Sequence, residues 1–319
     1  MLAGLLGATA IAFSAILVRL AKVEPSTAAV FRCLYALPLL ALLAWREARA
    51  YGRRPARDHW IGAVAGVLFS ADLILWHHSI ADVGAGLATV LGNLQVVLVA
   101  FAAWAVLGER PERRIVAAVP VVFGGAVMIS GVLEGGGYGR DPVLGTVYGV
   151  LTTIAYAAFL LVLRQINRDV RRPAGPLFDA TATSAVVSAV AGALLGEVSL
   201  VPSWPAHGWL ALLALTSQVL GWLLISVSLP RLPAALTSVL LLVQPMGSVA
   251  LAYVILGERP SALQLAGVTV VLTGICLATL KLPARKGSRV APHGGDPIAE
   301  TRERGSDPWP GVDTEVSSH

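Results

Sequence analysis

Asp72 stands inside an apolar run of the chain, with Ser70, Ala71 and Leu73 beside it. An ionised carboxylate there is costly unless it pairs with a cation, faces water or takes up a proton. Two roles follow: a site for proton coupling or a substrate amine, or a structural ion pair with Arg32. Arg32 lies in the preceding apolar run. Its planar fork suits bidentate binding of a carboxylate, and snorkelling to the nearer interface is the alternative. Arg19, closer to the end of its own run, is expected to snorkel.

Amides supply the other polar chemistry. Asn93 and Gln95 are two residues apart and cannot share one helical face, so one lines a cavity while the other bonds a neighbouring helix. Gln218 and Trp222 are four apart, hence on one face, where an amide and a ring could bound a pocket or simply pack. His77 and His78 diverge by about 100° around a helix, and no Cys or carboxylate set completes a metal site around them. The sequence therefore implies no metal and no cofactor. A pH-sensing histidine and a plain polar residue at the helix mouth both remain open.

These residues must be positioned by helices in lipid. Hydrophobic residues make up 56% of the chain, charged residues 13%, and mean hydropathy is +0.73. Runs long enough to cross about 30 Å of hydrocarbon as helices recur at roughly 2–20, 27–45, 60–80, 84–107, 113–132, 142–163, 176–196, 207–228, 233–256 and 261–281. The expected fold is an all-α integral membrane protein of ten transmembrane helices. Gly62/Gly66, Gly145/Gly149 and Gly192/Gly196 have the spacing that lets helices approach closely. Beyond residue 281 the composition turns to Gly, Pro, Ser and mixed charge, so 282–319 is expected to be a disordered cytoplasmic tail. Cys33 and Cys276 read as apolar fillers.

The chain is also duplicated. LGERP occurs at Leu107–Pro111 and again at Leu256–Pro260, and a shift of 149 positions aligns Gln95 with Gln244 and Gly125 with Gly274. Ten of the 25 positions from Leu87 to Pro111 match their counterparts. The repeats are 1–132 and 133–281, each of five helices. An odd helix count inverts the second repeat relative to the first, the arrangement many secondary transporters build around a midplane site. Gln95 and Gln244 would then lie at equivalent depths, lining the centre or joining the repeats. Glu109 and Glu258, in the two turns, read as gates or as caps on exposed backbone.

Arg46, Arg49, Arg53, Arg54 and Arg57, Arg110, Arg113 and Arg114, and Arg164, Arg168, Arg171 and Arg172 crowd alternate loops, joined by Arg231 and by the basic residues after helix ten. The other loops hold Lys22, Arg140 and Arg259. The Arg-rich loops and both termini are therefore expected in the cytoplasm, and the basic balance needs no nucleic-acid partner. Trp45, Trp60, Trp204 and Trp209 fall near helix ends, as interfacial aromatics do.

Ten helices, the inverted duplication and the paired LGER turns resemble the drug/metabolite transporter superfamily, its EamA branch in particular, over residues 2–281. Arg19 and Arg32 stand where such proteins often carry basic residues, and Gln244–Pro245 matches the family's proline-containing ninth helix. The first repeat departs from that pattern: Val96 stands opposite Pro245, which removes the proline's reason for a break in helix four. The resemblance implies a secondary active transporter, typically an exporter, of small polar metabolites such as amino acids. It would work by alternating access, coupled to protons or by exchange, as a monomer or homodimer in the cytoplasmic membrane of a bacterium. A passive facilitator or channel and a non-transporting membrane adaptor are the alternatives. Nucleotide-binding, metalloprotease and nucleophile-elbow motifs are absent, and the short loops leave no room for a catalytic domain, so an enzyme is not expected.

Overall fold

Every regular element in the described residues is a helix. The computed structural model describes residues 2–279 apart from 109, 136, 168, 170 and 229–233. Glu109, Arg168, Arg231, the last residues of helix ten and the tail at 282–319 lie outside that range.

Helix one is α1 (Leu2–Ala12) and α2 (Ser14–Ala21); the backbone ladder continues across Phe13, which donates to Thr9 at 3.3 Å and accepts from Leu17 at 3.0 Å. Then come α3 (Pro25–Tyr51), α4 (Ala56–Val83), α5 (Ala85–Gly92), α6 (Gln95–Leu107) and α7 (Arg113–Ile129). The second half has α8 (Pro142–Ile166), α9 (Ala174–Leu195), α10 (Ala206–Leu213), α11 (Trp222–Ser228), α12 (Ala234–Leu251) and α13 (Ala262–Thr279). π-helical turns join α10 to α11 (Ala214–Gly221) and follow α12 (Ala252–Leu256). Among the described residues, seven helices are long and apolar enough to cross a membrane, and Ala85–Phe101 and Leu242–Leu256 are shorter apolar helices.

α3 and α4 outrun the expected 27–45 and 60–80. At 27 and 28 residues and about 1.5 Å per residue, each exceeds a bilayer core, so Arg46, Arg49 and Asp58 ride on helical turns that project beyond it. Apolar length marks only the part of a helix that lipid must cover.

Helix four is broken despite lacking proline. Between α5 and α6 the chain tightens to three-residue bonds, Leu94 donating to Leu91 at 3.0 Å and Val96 to Asn93 at 3.2 Å. The Asn93 side chain donates back to Thr89 O at 2.8 Å. A short amide competing for the local backbone does here what proline was expected to do.

The helices pair across the two halves: α4 with α8 and α9, α3 with α9, α7 with α13, α5 and α1 with α12, α2 with α10. Residues 1–281 form one unit rather than two side-by-side bodies. Glycines set the closest approaches. A Cβ on Gly62 would lie 2.7 Å from Asp179 Cβ, and one on Gly66 2.5 Å from the Ala180 carbonyl oxygen, so both seat α4 on α9. Gly145 and Gly149 similarly bring α8 against Val83 and Leu91. The third pair divides its work. Gly192 packs on Ser26, while Gly196, with φ +71°, ends α9 in a left-handed cap with open space around it.

Candidate functional site

Four helices of the bundle converge on Arg32. It is 4% exposed, and its Nη2 donates to Gln218 Oε1 at 3.0 Å. Gln218 sits in the π-helical turn before α11, and its Nε2 donates to Thr181 Oγ1 of α9 at 3.2 Å. Arg32 Nε and Nη1 are buried without any partner. Below the guanidinium, Trp76 of α4 presents its ring 5.8 Å from Cζ, within cation–π range.

Asp72, 7% exposed on α4, is held from the second half: Thr152 of α8 donates to its Oδ1 at 3.0 Å and its backbone oxygen at 2.7 Å. Asp72 and Arg32 do not form the expected alternative of an ion pair, since no described carboxylate comes within 4 Å of the guanidinium. Each instead bonds a neutral side chain of the opposite repeat. Arg32 does not snorkel; α3 buries it among other helices, where its donors are satisfied only in part.

Aromatic side chains close one flank. Phe69 and Phe159 stack at 4.7 Å, and Trp222 meets Phe69, Phe159 and Tyr156 at 6.1, 5.7 and 6.0 Å. Gln218 and Trp222 therefore share the face their spacing indicated: the amide reaches the cation and the ring enters the aromatic group.

Asn93, Gln95 and Gln244 do not join this cluster among the described residues. Asn93 belongs to the break in helix four, beside Thr89, whose Oγ1 accepts from Ser248 of α12 at 2.9 Å. Gln95 Oε1 is buried without a partner, and Gln244 is half-buried in α12. Thr152, Thr181, Trp76 and Tyr156 had not been singled out. A signal for one existed: Thr181, Ser184 and Ser188 follow one face of α9, bonding Gln218, Cys33 at 3.7 Å and Ser70 at 2.7 Å respectively.

At the Arg-poor end, two cavities of about 410 and 870 Å³ share Arg19, Val23, Pro25, Ala81 and Tyr138. Arg19 is exposed there and lines both cavities together with Tyr138. His78 Nε2 lies 3.2 Å from Glu197 Oε2, which also accepts from Ser26 Oγ at 2.8 Å at the start of α3. Arg140 Nε donates to buried Asp82 at 2.8 Å. The Arg-rich end is tied in a matching way: Glu47 accepts from the Ala174 and Gly175 amides at 2.9 and 2.8 Å, opening α9, and Arg54 and His59 both contact Asp179. No group of three or more His, Cys, Asp or Glu among the described residues could hold a metal ion.

Glu258 is a cap across the repeats. It is 2% exposed, and its carboxylate accepts from the amides of Ala85 at 2.8 Å and Gly86 at 3.2 Å, the first turn of α5. Negative charge is favourable at a helix N-terminus. Glu258→Ala leaves two buried amides unpaired and is expected to cost about 2 kcal/mol, read as a lowered Tm. Burial raises the Glu258 carboxyl above its ordinary range, opposed by the two amides and by Arg19. A carboxyl raised in the folded state makes a stability contribution that is full below its unfolded pKa and disappears as pH rises through the folded one. Wild-type protein should thus lose stability relative to Glu258→Gln as pH rises across that window, as paired thermal melts would record.

The geometry brings an Arg and an Asp of the first repeat together with an amide and two hydroxyls of the second in one buried cluster beside aromatic rings, in a bundle of apolar helices. The EamA-like transporter family model matches residues 1–131 and again 143–280, nearly the whole chain. The chain belongs to the EamA-like transporter family. EamA-like proteins are membrane transporters of the drug/metabolite type, and the bundle is accordingly a multi-pass membrane protein. A solved structure described only as "Crystal structure of protein" is similar in fold, with a TM-score of 0.58 at 19% identity, covering 87% of this chain and 96% of its own. A comparison with curated proteins finds no match.

Proposed function

We propose that the protein is a secondary active transporter, exporting small polar metabolites such as amino acids across a bacterial cytoplasmic membrane by alternating access. The observation that carries this reading is the buried centre, where Arg32 keeps two donor nitrogens without partners and Asp72 is held by one neutral hydroxyl. A zwitterion offers a carboxylate to the first and an ammonium to the second. The aromatic group around Trp222 would take an apolar side chain.

The positive-inside bias puts the Arg-rich end in the cytoplasm and the two cavities on the outer side. Because helices pair across the repeats, the moving bodies in this reading are mixed: α3, α4, α8 and α9 form one packed group, which shifts against the rest. Asp72 is the coupling residue, since its protonation changes the charge of the cluster and so the balance between the two access states.

Proteoliposomes of purified protein test this, loaded with radiolabelled amino acids with and without a pH gradient. Accumulation against a gradient, abolished by collapsing the proton gradient, is expected. Asp72→Asn should lower that accumulation at least about tenfold, the loss of one charge-assisted interaction, while exchange of labelled for unlabelled solute continues. Unchanged pH dependence in Asp72→Asn would remove it from coupling. Flux only down the solute's own gradient would make the protein a facilitator.

A further inference from the structure

His77 is 1% exposed on α4 and lines the smaller of the two cavities. Its Nδ1 lies 3.0 Å from the Pro25 carbonyl oxygen. A carbonyl only accepts, so Nδ1 carries the hydrogen, and the neutral ring keeps its lone pair on Nε2. That Nε2 is buried with no partner. Buried polar atoms without partners are rare and call for an explanation. The ring of His77 lies 5.5 Å from that of Trp76, which in turn faces Arg32. One free acceptor and two free donors thus flank the same indole ring.

We propose that Arg32 and His77 form a joint carboxylate–proton site: a carboxylate-bearing solute accepts from the unpaired N–H groups of the Arg32 guanidinium, and an accompanying proton is held on Nε2 of His77. This rests on the transporter reading for its physiological meaning and departs from it in two respects: the proton rides on His77 instead of Asp72, and proton and solute travel in the same direction. The proton adds to an existing lone pair, and no covalent bond breaks. Coupling between the two events follows from charge. Arg32 and His77 lie 5.8 and 5.5 Å from the same Trp76 ring, and two buried cations repel strongly in a medium of low dielectric. A carboxylate on Arg32 cancels that repulsion, so each ligand strengthens the binding of the other.

Other charges bear on the ring. Arg19 of α2 and Lys22 after it also line the cavity, with Tyr138 and Glu258 from the second half; His78 and Asp72 share α4. The cations oppose protonation. Glu258 is already engaged by the α5 amides, which leaves a bound carboxylate as the compensating charge. Apparent affinity for the solute should therefore rise as pH falls.

Calorimetry on the full-length protein in detergent tests this, with acetate, benzoate and indole-3-acetate as probes. Each titration is run in two buffers of different ionisation enthalpy, so that the difference in heat counts protons taken up. About one proton per benzoate is expected in wild type, and the same in His78→Asn. His77→Asn keeps a donor for Pro25 O but has no lone pair that titrates, so it should bind with no uptake. Equal uptake in wild type and His77→Asn, or its loss in His78→Asn, would overturn the proposal. Benzoate bound by wild type with no proton taken up would overturn it as well, so a failure of His77→Asn to fold leaves the proposal open to refutation. If none of the three carboxylates binds while proteoliposomes still move solute, the joint site fails and the transporter reading stands. Proton-linked benzoate binding without flux would do the reverse.

Discussion

Arg32→Gln is expected to abolish transport while making the protein more stable. Glutamine can still donate to Gln218 Oε1, the one hydrogen bond Arg32 makes, so the local network survives. What disappears is a buried charge whose Nε and Nη1 have no partner. An uncompensated buried charge costs several kcal/mol, and replacing it by a neutral group should return on the order of 1 kcal/mol of stability. The same change removes two charge-assisted bonds to solute at about 1.5–3 kcal/mol each, a loss of about 100-fold or more in transport at subsaturating solute. Arg32→Lys separates charge from geometry: it keeps the cation and loses the fork. Thermal melts and initial flux rates on the three proteins provide the check, and a destabilised, active Arg32→Gln would contradict a binding role.

The second large effect is structural. Gly66→Ala is expected to cost more than about 3 kcal/mol, because its new methyl would lie 2.5 Å from the Ala180 carbonyl oxygen and 2.6 Å from Thr183 Cβ. The first obstacle is backbone, which cannot rotate away, so α4 and α9 must separate. Gly124→Ala is the same chemical change in open space on α7, where exchanging glycine for alanine in a helix gains about 0.5–1 kcal/mol. Opposite signs from one substitution, read as the temperature at which each variant aggregates from detergent, would establish that backbone contact between α4 and α9 holds the centre in place.

Much of the centre was legible. Asp72, Arg32 and Gln218 stand out because an ionisable or amide group in an apolar run is costly and so needs a partner. Trp222 followed from its spacing to Gln218. Thr152 and Thr181 stayed hidden because a hydroxyl bonds its own helix as easily as a neighbour, and nothing in the sequence says which. The place of the Asn93 amide was hidden for a related reason: it bonds its own helix at the break in helix four, apart from the Arg32 cluster. Hydropathy located the helices but underestimated α3 and α4, whose basic ends stay helical beyond the lipid. Helix pairing across the repeats was not legible either, since periodicity marks a buried face without naming what covers it. Glu258 was legible as a cap in kind; that its target is α5, 173 residues away, comes only from the fold.

That distance sets an order of events at the ribosome. The amides of Ala85 and Gly86 enter the membrane long before Glu258 has been translated, and α3 and α4 wait likewise for α8 and α9. A nascent first half therefore has to survive with water at its helix ends and lipid or insertion machinery against faces that only the second half can cover. Duplication has made a chain whose early part is finished last.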